Sequence, residues 1–186
     1  MRIIGGQWRG LHLAEVGAGD PKAHLRPTSD RVREAIFNLL INGSHGDLVT
    51  DAVALDLFAG TGALGLEALS RGAARVTLVD DGRPAQKLIA QNIAKMRVEA
   101  RVTVLPRDAT RLPTAAAPFT LIFLDPPYGK AMGEAALASA HAQGWIAPHA
   151  TILWEEATPI PPPQGFALLD QRRYGDTWVT LLEAQA

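Results

Sequence analysis

The chain has 186 residues, a net charge of −1 and no cysteine, and 47% of it is hydrophobic. That length suits one domain able to bury a full core, and the missing thiols exclude disulfides, thiolate zinc sites and a cysteine nucleophile. The charge balance argues against a globally basic nucleic-acid binder, yet residues 1–33 hold six Lys/Arg against three Asp/Glu, so an anionic partner is expected there.

The start, Met1 to Trp8, lacks the apolar stretch of a secretory leader, and no run approaches the ~20 apolar residues of a membrane span, so a cytoplasmic protein with no membrane contact is expected. Arg2 to Leu13 places Gly5, Gly6 and Gly10 between short apolar stretches, which predicts a small β-ribbon. A helix begins around Thr28 to Asp30. From Val53 onward, short apolar runs alternate with helical patterns, the mark of βα units and a parallel sheet. Strands are expected at Val53 to Phe58, Arg75 to Val79, Val102 to Leu105, Phe119 to Leu124 and Thr151 to Trp154. Helices fall at Ala63 to Arg71, from Pro84 through Ile93, and at Ala131 to Ala142. After Pro161-Pro162-Pro163 the alternation stops. Phe166 to Leu169 and Trp178 to Leu182, joined around Tyr174-Gly175-Asp176, read as an antiparallel pair at a sheet edge. The organisation expected is a single domain, 1–186, with 1–50 as an N-terminal extension and 51–186 as the α/β core.

Two constellations carry chemistry. In the first, a buried strand from Val53 runs into a turn containing Gly60 and Gly62 and then into a helix. Glycines let the backbone approach a ligand, and Asp80 follows Gly60 by twenty residues at the end of the second strand, where a carboxylate can take both hydroxyls of a ribose. Asp108, just after the third strand, stands where an adenine amine would lie. Asp56 is a carboxylate inside an apolar strand, costly unless paired, and a cationic amino group on a ligand would satisfy it. Gly60, Gly62 and Gly65 also fit G-x-G-x-x-G, so this motif alone leaves a nicotinamide cofactor open beside an adenosine-bearing one.

The second constellation is Asp125-Pro126-Pro127-Tyr128, delivered by an apolar strand to the same crevice. The prolines have fixed φ and no N–H, so they build a stiff turn whose carbonyls face no local donors. Asp125 and the Pro126 carbonyl can accept the two hydrogens of a planar amine. Such an amine is a weak nucleophile because its lone pair is delocalised, and two acceptors favour the pyramidal nitrogen that attacks a sulfonium methyl in line. Tyr128 can stack on the ring. A dehydrogenase would need a proton donor for hydride transfer, which this motif does not supply.

These residues resemble class I methyltransferases of the D/N-P-P-Y/F type, which have a Rossmann-like fold and modify amino nitrogens. More closely, Met1 to Gly10, Arg26 to Asn38 and Leu55 to Gly72 resemble the RsmD family across essentially the whole chain. The resemblance implies a mostly parallel seven-stranded sheet with an antiparallel C-terminal edge hairpin and a small N-terminal ribbon and helix. It implies S-adenosyl-L-methionine as cofactor and N2 of a guanine in bacterial small-subunit (16S) ribosomal RNA as target; the small size and the lack of a separate RNA-binding domain point to a small-subunit particle over naked RNA as the partner. It places Asp56, Gly60 and Gly62 at the methionine end of the cofactor, Asp80 at its ribose, Asp108 at its adenine, and Asp125 to Tyr128 at the target base, with Phe58 a further cofactor-binding residue. Asp80 is shorter than the Glu more usual in the family, and Asp81-Gly82 stands where a larger residue and an acid are common. Adenine-N6 and glutamine-N5 methyltransferases share the planar-amine problem and remain alternatives.

For RNA contact the candidates are Arg2, Trp8, Arg9, Arg26, Arg31 and Arg33. Arg31 and Arg33 sit at the start of a helix, where the macrodipole disfavours positive charge unless a phosphate or nearby acids, here Asp30 and Glu34, offset it. Trp8 suits either base stacking or packing. The five histidines show no metal-ligand spacing, and no metal is expected.

Overall fold

The computed structural model describes residues 1–15 and 29–186. Its elements run α1 (Asp30–Asn42), β1 (Val53–Leu57), α2 (Ala63–Ser70), β2 (Arg75–Val79), α3 (Arg83–Met96), β3 (Val102–Leu105), β4 (Phe119–Leu124), α4 (Met132–Ala142), β5 (Ile146–Glu156), β6 (Phe166–Tyr174) and β7 (Thr177–Ala184). The strands form a seven-stranded sheet in the order β3-β2-β1-β4-β5-β7-β6. Pairing is parallel from β3 through β5 and antiparallel at β5/β7 and β7/β6. The expected α/β architecture with an antiparallel C-terminal edge is what the chain adopts.

Element ends differ from expectation for local reasons. Phe58 leaves β1 because it takes a left-handed φ of 62°, and Ala131 stands outside α4 with φ 52°. α1 starts at Asp30, within the expected Thr28 to Asp30, where the Ser29 hydroxyl oxygen accepts the Val32 N–H at 3.2 Å. β5 is longer than its apolar run predicts, since its early residues, Pro148 and His149 among them, follow no clean alternation. β6 continues past Leu169 through Asp170, Arg172 and Arg173, charged residues of the kind tolerated on an edge strand.

Alternate residues of the strands feed two cores. Phe123, Leu153, Leu181 and Leu78 meet α1, α2 and α3 on one face. Leu55, Leu57, Ile122, Leu124, Ile152 and Trp154 meet α4 on the other. Gly133 lets α4 lie against the sheet, for a Cβ there would stand 2.4 Å from the Trp154 ring.

The N-terminal ribbon closes as expected through an antiparallel bridge between Arg2 and His12 and the Ile3 N–H to Leu11 carbonyl bond of 2.9 Å. Its anchor is Glu67 of α2, a fully buried carboxylate that accepts the Ile4 and Gly5 amides, both at 2.8 Å. Gly6 must be glycine: its φ is 75°, and a Cβ would fall 1.8 Å from the Ser70 carbonyl oxygen. Asn92 of α3 holds the ribbon's far end. Its Oδ1 accepts the Ala14 N–H at 2.6 Å, while its amide donates to the Ala14 and Thr61 carbonyls at 3.2 and 2.9 Å.

Candidate active site

Parallel pairing brings the carboxyl ends of β1, β2, β3 and β4 to one edge, where open α/β sheets bind ligands. A cavity of about 870 Å³ occupies this edge. Asp56, Phe58, Gly60, Asp80, Asp108 and the whole of Asp125 to Tyr128 line it, so residues from four strand ends meet in one space. Gly62 is not on its wall. It caps α2 with φ 78°, and its N–H donates to the Ala59 carbonyl at 2.7 Å, shaping the turn from behind.

Asp80 organises that turn. Its Oδ2 accepts the Gly60 N–H at 2.9 Å and its Oδ1 accepts the Gly82 N–H at 2.8 Å. Burial raises its carboxyl above the ordinary range, opposed by those two amides. Asp56, 1% exposed, accepts the Gly65 N–H at 2.9 Å. Burial pushes its carboxyl up to about 8, with the Gly65 amide opposing and the Asp125 and Asp80 charges adding to the rise. Gly65 permits this contact, because a Cβ there would stand 2.6 Å from Leu78 and 3.1 Å from the Asp56 carboxylate. Asp108 is different: the Thr110 hydroxyl and amide both donate to its Oδ1, at 2.7 and 2.9 Å, and hold its carboxyl below the usual range.

At the β4 end, Asp125 is half-buried and Pro126 is buried. The Tyr128 hydroxyl lies 3.2 Å from the Thr177 hydroxyl at the start of β7. Burial pushes the Tyr128 phenol up to about 12; the Thr177 bond opposes this, and the charges of Asp125, Glu155 and Glu156 reinforce it. The tyrosine is therefore a neutral ring at working pH.

Several cavity residues carry no functional signal in the sequence. Glu15, Ser29 and Val32 reach the cavity from the N-terminal region, Glu155 from β5, and Tyr174 to Thr177 from the β6/β7 turn. The turn is visible as Tyr-Gly-Asp, but its arrival at the site depends on the two antiparallel pairings.

The arginine candidates separate. Arg2, Arg9 and Arg31 gather around a depression of about 350 Å³ that Asp30 and Glu34 also line. Trp8 is half-buried against the core, and its backbone N–H donates to the Ser70 hydroxyl at 3.0 Å. Arg33 is the correction. It is fully buried, 2.9 Å from Asp30 and 3.6 Å from Glu67, and it donates to the Arg2 carbonyl, so the fold covers the charge expected to meet phosphate. Arg26 lies outside the described residues.

A mostly parallel seven-stranded sheet, a glycine turn held by the Asp80 carboxylate and an Asp-Pro-Pro-Tyr corner on the same cavity define a Rossmann-like methyltransferase. The family model described as "Conserved hypothetical protein 95" matches residues 1–183, and the chain belongs to that family, the RsmD methyltransferases. It is 39% identical over 155 residues to the Escherichia coli "Ribosomal RNA small subunit methyltransferase D", covering 83% of this chain and 74% of that one. The Haemophilus influenzae protein of the same name is 32% identical over 181 residues, 94% of this chain and 89% of its own. The solved structure of yhhF from Escherichia coli, whose name gives it as a proposed methyltransferase, superposes with a TM-score of 0.83 at 35% identity, covering 100% of this chain and 98% of that chain. Among the described residues no helix is long and apolar enough to cross a membrane.

Proposed function

We propose that the protein transfers a methyl group from S-adenosyl-L-methionine to the exocyclic N2 amine of a guanine in small-subunit ribosomal RNA. The observation that carries this reading is that Asp125-Pro126-Pro127-Tyr128 opens onto the same cavity as Asp56 and Asp80, so an acceptor amine and an adenosine-bearing donor share one space. The relatives named for small-subunit ribosomal RNA methylation support the choice of RNA.

The cavity suits the cofactor on its own chemistry. Asp56 is buried, which pushes its carboxyl up to about 8, and an amino-acid ammonium beside it would offset the cost of its charged form. Asp80 keeps lone pairs for ribose hydroxyls beyond the two amides it accepts, and Asp108 borders the space for adenine. When bound, the cofactor supplies an electrophilic methyl on a sulfonium sulfur.

The protein's part is to prepare the acceptor. Asp125 and the Pro126 carbonyl accept the two amine hydrogens and turn the nitrogen lone pair toward the donor side of the cavity. The Asp125 carboxylate then stabilises positive charge as it develops on that nitrogen. Tyr128, neutral and half-buried, offers its ring face to an extruded base. No strong base is required, because the nitrogen becomes cationic first and its proton then passes to the Asp125 carboxylate that already accepts it.

Incubation with labelled S-adenosylmethionine and small subunits lacking the modification, followed by nucleoside analysis, tests donor, acceptor and atom together. The expected product is N2-methylguanosine. Label in N6-methyladenosine or in protein overturns the acceptor. Thermal protection by NAD without protection by S-adenosylhomocysteine overturns the cofactor.

A further inference from the structure

Sheet order lays the proposed reaction out along one direction. The ribose and methionine anchors, Asp80 and Asp56, belong to β2 and β1, and the amine acceptor Asp125 follows β4, the next strand across. A target base whose amine meets Asp125 must extend away from the donor, over β5. The residue waiting there is Glu155. β4 and β5 pair in parallel up to Leu124 opposite Trp154, and Asp125 and Glu155 are the residues that follow that last pair, both lining the cavity. Glu155 lines the cavity, is 1% exposed, and acts electrostatically on the Tyr128 phenol, as Asp125 does.

We infer that Glu155 is the residue that selects guanine, its carboxylate accepting the N1–H next to the methylated amine. The inference rests on the guanine reading above and deepens it. On the Watson–Crick edge of guanine the N2 amine is flanked by N1–H, a donor, whereas adenine flanks its N6 amine with N1 as a bare acceptor. Asp125 and the Pro126 carbonyl read only the amine, which both bases have. A carboxylate oxygen one strand beyond accepts a hydrogen bond from the guanine N1–H and meets a lone pair in adenine. Sites built to bond a substrate N–H reject analogues lacking it by large factors. Glu155 is therefore a specificity residue, distinct in task from Asp125.

2-Aminopurine keeps the N2 amine but has a bare N1 and no O6, so the change of its discrimination on altering Glu155, rather than the wild-type ratio alone, reports this contact. Once nucleoside analysis has located the modified guanine, small-subunit RNA ligated with guanosine or 2-aminopurine riboside at that position is reassembled with small-subunit proteins. The kcat/KM ratio between the two substrates is then read. The wild type should prefer guanosine by about 100-fold or more. Glu155→Gln, whose amide can turn its NH2 toward a bare N1, should shrink the ratio by about tenfold or more, and Glu155→Ala should shrink it as well. A purely structural role would depress both substrates together and leave the ratio unchanged. Equal use of both substrates by the wild type, or a ratio held within twofold in Glu155→Gln, overturns the assignment. Equal use by the wild type overturns the assignment even if neither variant folds. If the wild type fails to methylate guanosine at all, the underlying function is wrong instead, so the two failures are distinguishable.

Discussion

Arg33 and Glu67 lie 3.6 Å apart with both side chains wholly buried. Glu67 also receives the Arg71 guanidinium at 2.7 Å and two amides of the ribbon, so one carboxylate ties α1, α2 and the N-terminal ribbon together. Removing one partner of such a pair strands the other charge away from water. Glu67→Ala is predicted to cost on the order of 3–5 kcal/mol of unfolding free energy in urea titration, because the loss of a buried partner exceeds the small net worth of the pair. A cost below about 1 kcal/mol would show that the cluster is dispensable.

The same geometry divides the arginines proposed to meet RNA. Arg2, Arg9 and Arg31 are exposed, whereas Arg33 is covered. Neutralising the exposed three should reduce the slope of log affinity against log salt by roughly 0.7 to 0.9 for each phosphate that is no longer neutralised. A steep slope that survives the triple substitution would place the RNA surface elsewhere.

Asp56 predicts a pH dependence with a definite sign. Its carboxyl rises from an ordinary value of 3.8 to about 8 in the folded chain, so the fold favours the neutral acid. This group's stabilising contribution is complete below about pH 4 and is lost as pH climbs toward 8, at a rate of at most ~1.4 kcal/mol per unit. Asp56→Asn should flatten that decline in the ligand-free protein. Binding of S-adenosylhomocysteine near pH 7 should release a proton as its ammonium restores the carboxylate. Calorimetric enthalpies identical in buffers of different ionisation enthalpy would refute the pairing.

Asp80 serves the turn and the proposed ribose site together. Asp80→Ala removes the acceptor of the Gly60 and Gly82 amides as well as the ribose anchor, so the rise in Tm given by S-adenosylhomocysteine should shrink markedly. Full retention of that rise would exclude Asp80 from the cofactor site.

Asp125 is expected to act late, as charge develops on the acceptor nitrogen. Asp125→Ala should lower single-turnover methylation by on the order of 100-fold while cofactor affinity changes little. Tyr128→Ala should lose a stacking surface worth roughly 1–3 kcal/mol, and Tyr128→Phe should keep most activity although it gives up the hydrogen bond to Thr177. Near-normal turnover by a folded Asp125→Ala protein would sink the mechanism.

What could be read from the chain alone was whatever depends on neighbours in sequence. Alternating apolar runs marked the strands, glycines marked the turn after β1, and prolines marked the corner after β4. Once the strands were known to be parallel, Asp56, Asp80, Asp108 and Asp125 had to gather at one edge, because a parallel sheet puts all its carboxyl ends on the same side. The fates of Arg33 and Glu155 were not readable in this way. A guanidinium near a helix start looks the same on paper whether it faces a phosphate or a buried acid, and the amides that share Arg33's acid lie 63 and 62 residues from Glu67. Glu155 joins the cavity only because β5 lies next to β4, the strand that leads into Asp125. Whether a charge is solvated or enclosed is decided by the partners that packing brings to it, since desolvation costs more than any local propensity can signal.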